Sequence, residues 1–256
     1  MIEKTIVPIK AFNDNYIWCL RNGKHALVVD PGDANPVLDY LAQEELNLVA
    51  ILITHHHPDH VGGNRTLLSK FNVPIYGPKK ENIPGISQKL SEGDSVFIKE
   101  LEQGFKIIEI PGHTLGHIGY YDDSLLLCGD TLFSCGCGRL FEGTPEQMFH
   151  SLQKIANLPD HTLIFCTHEY TEANIEFALS VEPQNKELME FKDKVLDLRS
   201  KGLPSLPVSL RQEKLTNPFL RAHLPSVAKS TLIEKQSGRT NPIEVFTYLR
   251  KWKDSF

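Results

Sequence analysis

Short apolar runs separated by turn residues dominate roughly the first two thirds of the chain; apolar positions at helical spacing dominate the rest. Residues 48–53, Leu-Val-Ala-Ile-Leu-Ile, form an almost unbroken apolar run. A run of that length predicts a strand covered on both faces. Residues 105–110, 124–128 and 162–166 predict further strands, with shorter ones at 73–76 and 96–98. Residues 16–20 and 25–29 flank Asn22-Gly23, a hairpin signal. Asp30-Pro31-Gly32-Asp33 predicts a turn. Helices are predicted over 35–43, with Asn35 as N-cap and Pro36 at the first helical position, over 61–70, and over 144–157, opened by Thr144 and Pro145. Residues 81–93 are polar and punctuated by Gly and Pro, hence loop. Strand, turn, helix, strand order predicts α/β layering.

The pattern changes after Tyr170. Helices are predicted over 171–181 and 185–200, the second with Leu188, Phe191, Val195 and Leu198 on one face and Gly202 as C-cap. Residues 203–210 are Pro-rich and extended. Asn241 and Pro242 open a last helix with Val245, Leu249 and Trp252 as its buried stripe. The predicted organisation is an α/β domain over 1–170 and a mainly helical domain over 171–256, with no internal repeat.

Composition adds exclusions. The 256 residues are 41% hydrophobic and 23% charged, as expected of a soluble globular protein. A formal net charge of -5 offers no general basic field for nucleic acid or an anionic membrane. No run approaches the roughly 20 apolar residues of a membrane span, and the first residues lack the apolar core of an export signal. A cytoplasmic location and a monomer are expected, with no nucleic-acid or membrane partner. The five cysteines, Cys19, Cys128, Cys135, Cys137 and Cys166, are odd in number and are expected to be reduced.

The chemistry lies at the strand ends. The run 48–53 delivers Thr54-His55-His56-His57-Pro58-Asp59-His60, and ligands in α/β layers collect at such C-terminal ends. Residues two apart in extended backbone point the same way, so His55 and His57 can share one ion while His56 faces elsewhere. His113, Asp130 and His168 follow other predicted strands. Seven ligands exceed the needs of one ion and suit two joined by a bridge. The partition is His55, His57 and His113 on one metal and Asp59, His60 and His168 on the other. Asp130 bridges, because a carboxylate has two oxygens to share and an imidazole one lone pair. His117 is assigned an orienting or packing role. Two divalent ions about 3.5–4 Å apart can hold a hydroxide between them, and metal binding brings the pKa of water to about 7. Hydrolysis by a hydroxide held at Asp130 and Asp59 is the expected chemistry. Zinc is the expected metal, and N/O ligation also accommodates iron or manganese.

These motifs resemble a known family. THHHPDH at 54–60, GHTLGH at 112–117, GDTLFSCGCGRLFEG at 129–143, THEYT at 167–171, NPFLR at 217–221 and LRKWKDSF at 249–256 are similar to the metallo-β-lactamase-fold hydrolases, and among them to glyoxalase II, the hydroxyacylglutathione hydrolases. The resemblance implies an αββα sandwich with a helical C-terminal domain. It implies hydrolysis of S-D-lactoylglutathione to glutathione and D-lactate, a step of methylglyoxal detoxification. It implies the same two-metal partition, and glutathione binding by Arg139, Phe141, Tyr170, Arg250 and Lys253. Arg139 stands where lysine is frequent and Phe141 where tyrosine is frequent. Independently of the resemblance, Arg250 and Lys253 are three apart and share a helix face, suiting a carboxylate. A thioester suits such a site, since a thiolate with a conjugate pKa near 8.5 leaves without a dedicated acid.

Four other readings fit less well. A nuclease of this fold lacks a basic arm here. An iron oxygenase acting on glutathione persulfide lacks the glyoxalase-type C-terminal region. A penicillin hydrolase disagrees with Asp130 in the bridging place. A scaffold with a degenerate site disagrees with seven intact ligands.

Overall fold

The computed structural model describes residues 4–231 and 241–256. The chain forms two compact units, Met1–Glu109 with Gly116–Gly129, and Ile110–Leu115 with Asp130–Phe256.

In the first unit, β1 (Thr5–Ala11), β2 (Asn15–Asn22) and β3 (His25–Val29) make an antiparallel meander. Asn22 pairs with His25 across the predicted turn, where Gly23 has φ 59°. The chain then crosses through α1 (Ala34–Gln43) to β4 (Asn47–Leu52), which lies parallel to β3. The N-cap is Asp33, not Asn35, because the Asp33 carboxylate accepts from the Asn35 N–H and Pro36 still stands in the first turn. The helix expected over 61–70 is two pieces, α2 (Pro58–Val61) and α3 (Asn64–Lys70), broken at Gly62-Gly63. At both glycines an added Cβ would strike backbone of the 31–34 turn, so the break lets that turn pack closely. β5 (Ile75–Pro78) and β6 (Gln88–Leu90) complete a six-stranded sheet, order β1-β2-β3-β4-β5-β6. β6 falls inside the stretch expected to be loop; with only Leu90 buried, its sequence carries no strand pattern.

The same unit holds the antiparallel run β7 (Ser95–Ile98), β8 (Gln103–Glu109), β9 (Ile118–Tyr121) and β10 (Leu125–Gly129). β7 alternates strictly between exposed and buried residues, as a strand with one wet face should. The fully buried Tyr120 of β9 donates its hydroxyl to the carbonyls of Ile53 (2.8 Å) and Tyr76 (3.1 Å), just beyond β4 and within β5. Burial pushes the phenol well above its usual range, so it stays a donor. The unit's aliphatic core includes Ile17, Val28, Val37, Ile51, Leu67 and Ile75.

The second unit begins its long segment with a tight hairpin, β11 (Leu132–Phe133) and β12 (Gly136–Cys137). α4 (Pro145–Ala156) opens with a capping box, Thr144 with Gln147. β13 (Leu163–Cys166) pairs antiparallel with β14 (Val208–Ser209). α5 (Thr171–Val181), α6 (Lys186–Ser200), α7 (Leu210–Thr216), α8 (Pro225–Ala228) and α9 (Pro242–Asp254) make the described part of 171–256 mainly helical. Asn185 and Asn241 cap α6 and α9 as expected; after α6, Lys201 is the C-cap and Gly202, at φ 70°, follows it. Phe177, Phe219 and Phe246 are fully buried, with ring centroids 5.9 and 5.7 Å apart along the series. No described helix is long and apolar enough to cross a membrane.

Candidate metal centre and substrate pocket

β4 covers the predicted apolar run to within a residue at each end, and the chain then enters the histidine loop. His55 Nε2 and His57 Nδ1 lie 3.1 Å apart. Two nitrogens bound to one tetrahedral ion at about 2.0–2.1 Å are about 3.3 Å apart, so the pair is spaced as ligands of one ion. His56 turns the other way, its Nδ1 3.0 Å from Glu81. Asp59 and His60 follow in α2, with His60 Nε2 3.5 Å from Asp59 Oδ2.

Groups outside the histidine motif set which nitrogen each ring presents. The Thr54 hydroxyl lies 3.1 Å from His55 Nδ1, leaving Nε2 as the ligand atom. Asp30 is buried; its Oδ1 accepts from the Thr54 N–H (2.8 Å) and its Oδ2 from the Thr54 hydroxyl (2.7 Å). Oδ2 also lies 3.0 Å from His60 Nδ1, which leaves His60 Nε2 for a metal. Asn15 donates to Asp59 Oδ2 at 3.0 Å. Gly32 is required here, because a Cβ would stand 1.8 Å from the Asp59 carbonyl oxygen. Sequence reasoning saw Asp30 and Gly32 only as a turn; strain at Asp30, φ 51°, shows in no sequence pattern. His117 is buried and stacks on His55 with centroids 4.6 Å apart, a packing position.

The other three expected ligands lie in the second unit. Asp130 Oδ2 stands 3.5 Å from His113 Nε2 and 3.3 Å from His168 Nε2, so one carboxylate faces two imidazoles. His113 Nδ1 lies 2.9 Å from the Arg139 carbonyl, fixing its tautomer with Nε2 toward Asp130. Each unit thus presents imidazole and carboxylate atoms, donors that suit a divalent metal.

A cavity of about 520 Å³ within the second unit is lined by Asp130 and His113. Its walls carry all five residues that the resemblance assigned to glutathione: Arg139, Phe141, Tyr170, Arg250 and Lys253. Tyr170 stacks on His168, centroids 4.7 Å apart and planes within 3°. Phe141 is 64% exposed and meets the His113 ring edge-on. Arg250 is buried: it donates to the Cys137 carbonyl (2.7 Å) and to Asp254 (2.9 Å), over the Phe219 ring. Lys253 donates to the Ala173 carbonyl at 3.1 Å, with its ammonium 5.3 Å from the Phe177 centroid. Burial, then the Arg250 and Arg139 charges, pushes that ammonium below the usual lysine range.

Sequence reasoning missed what holds this wall. The β11–β12 turn, with Cys135 at φ 55°, is clamped by buried side chains from α5, α7 and the residue after α7. Glu213 accepts from the Ser134 hydroxyl (3.0 Å) and the Cys135 N–H (2.9 Å). Asn217 donates to the Phe133 (3.1 Å) and Gly136 (2.9 Å) carbonyls, and Asn174 to that of Ser134 (3.0 Å). Burial pushes the Glu213 carboxyl up to about 7. Cys135 and Cys137 are free and buried, and burial raises both thiols, which keeps them unreactive.

Comparison with known proteins places the chain. Residues 12–168 match the metallo-β-lactamase superfamily, which defines the class and the α/β fold. The crystal structure of BLEG-1 B3 metallo-β-lactamase has the same fold, with TM-score 0.64 at 24% identity over 85% of this chain and 99% of that one. Residues 169–256 match the C-terminus of hydroxyacylglutathione hydrolase. The hydroxyacylglutathione hydrolase of Vibrio parahaemolyticus is 54% identical over the whole of both chains. That of Nitrosomonas europaea is 49% identical over 98% of this chain and 96% of its own. The chain belongs to the hydroxyacylglutathione hydrolase family.

Proposed function

We propose that this protein hydrolyses S-D-lactoylglutathione and related 2-hydroxyacylglutathione thioesters to glutathione and the hydroxy acid, D-lactate in the first case, and so serves methylglyoxal detoxification. The observation that carries this reading is one cavity lined both by the expected ligands His113 and Asp130 and by the cations Arg139, Arg250 and Lys253. The substrate has the same layout, a scissile thioester and an anionic peptide.

His55, His57, His113 and Asp130 would hold one divalent ion, and Asp59, His60, His168 and Asp130 the other, with zinc the expected metal. Such a pair lowers the pKa of water into the neutral range and so provides hydroxide and a Lewis acid. The chain's own residues do the rest. Asp30, Thr54 and the Arg139 carbonyl fix the ring tautomers. Lys253 and Arg250 hold the substrate's glycine carboxylate, Tyr170 and Phe141 flank the peptide, and the thiolate departs unaided. In this reading residues 1–170 are the catalytic domain and 171–256 the glutathione-binding domain. The protein acts as a cytoplasmic monomer on a small molecule, without nucleic acid or membrane.

Metal analysis of the purified protein beside a thioester assay tests this. About two equivalents of metal and glutathione release are expected. Bound metal with no hydrolysis of any glutathione thioester would refute it.

A further inference from the structure

α9 brings three charged groups to the cavity at positions 250, 253 and 254, and the last of them is an acid. Asp254 Oδ1 lies 2.9 Å from Arg250 Nη2 and 3.6 Å from Arg139 Nε. Among the described residues no donor reaches Asp254 Oδ2, and no other carboxylate pairs with Arg139. The Asp254 side chain is 43% exposed and that of Arg139 64%, against 6% for Arg250. An open carboxylate oxygen therefore stands beside an open guanidinium, while Arg250 is far less exposed than either.

Resting on the glutathione-thioester reading above, we propose that Asp254 and Arg139 form a receptor for the zwitterionic α-amino-acid end of the substrate. Asp254 accepts from the γ-glutamyl ammonium and Arg139 donates to the neighbouring carboxylate. A glutathione thioester carries two carboxylates and one ammonium at neutral pH; the wall carries three cations and one carboxylate. The wall thus offers cations for both carboxylates and one acid for the ammonium. An exposed carboxylate in a pocket for a dicarboxylate would otherwise repel the ligand, since opposed like charges disfavour binding. Asp254 is thus a specificity-determining residue.

The test compares S-D-lactoylglutathione with the same thioester acetylated on the γ-glutamyl nitrogen, which removes the ammonium. The wild type should lose at least about tenfold in kcat/KM on acetylation, chiefly through KM, as expected for a lost charge-assisted hydrogen bond. Asp254→Asn should shrink that ratio to about twofold or less and Asp254→Glu should restore part of it. An unchanged ratio in Asp254→Asn would overturn the proposal, as would an equal rise in KM for both thioesters, because the acid would then act only by holding its arginines. A wild type that hydrolyses both equally would overturn it too. A wild type that hydrolyses neither would overturn the function proposed above, and this inference with it.

Discussion

The histidine loop of the first unit and the cationic wall of the second are built in opposite ways. The loop gathers His55, His57, Asp59 and His60 within six residues after one strand, so the local chain path brings them together and Asp30 and Asn15 complete their aim. The wall draws on residue 139, residue 170 and α9, and Glu213, Asn217 and Asn174 grip the adjoining β11–β12 turn from a distance in sequence. Reactive geometry here is encoded locally. Recognition geometry is encoded by buried hydrogen bonds between segments far apart in sequence.

The sharpest break of that contrast is Asp130→Asn. The amide keeps the shape but removes the charge that would join two ions, so metal content should fall and kcat should drop by about a thousandfold or more. Glutathione, as product inhibitor, should bind almost as before, because the cationic wall is intact. Calorimetric titration with glutathione beside metal analysis checks both. Loss of glutathione binding together with metal would show that the two regions are not separable.

The second effect falls on stability. With the Glu213 carboxyl pushed up to about 7 from an ordinary 4.5, the folded chain holds this proton more tightly than the unfolded chain does. Its contribution is full below about 4.5 and is lost as pH rises through about 7, a change of order 3 kcal/mol. The facing Cys135 thiol is itself raised, by burial and then by the Glu213 charge, and stays neutral across that window. Glu213→Gln keeps an acceptor for the Cys135 N–H and removes the titration. Denaturant midpoints measured from pH 4.5 to 8 should fall with rising pH in the wild type more than in the variant; parallel curves would assign the pH dependence elsewhere.

That contrast also explains what could be read in advance. The ligand residues, the strands that carry them and the helices of the C-terminal region were legible because period and spacing report them directly. Asp30 was not: its role depends on a strained backbone that aims it at Thr54 and His60, and a turn signal says nothing of aim. Glu213 was not, because an acid on a short helix looks solvated until the chain is folded around it. Arg250 was legible as a cation but not as a buried one; its bonds to Cys137 and Asp254 tie α9 to the hairpin.

Arg250 and Lys253 therefore separate binding from support. Lys253→Ala removes a half-exposed charge and should raise KM about tenfold at nearly constant kcat and melting temperature. Arg250→Ala should raise KM as well and also cost stability, since it leaves the Cys137 carbonyl without its donor inside the protein. Thermal melts beside steady-state kinetics distinguish them; two variants with the same melting temperature would return Arg250 to a purely binding role.

The smallest effect probes the rim. Phe141 is exposed and its ring meets that of His113 edge-on, so a hydroxyl added by Phe141→Tyr meets water on one side and the cavity on the other. A single neutral hydrogen bond at a wet site contributes about 0.5 kcal/mol, near the low end of the usual range, which corresponds to about a twofold fall in KM. The effect should be confined to thioesters with the full glutathione peptide, because the ring stands on the peptide wall. A thioester of N-acetylcysteamine, which has no peptide for the hydroxyl to reach, should show none. An equal gain on both substrates would place Phe141 beside the scissile bond instead, and would extend the reactive region of the cavity into its recognition wall.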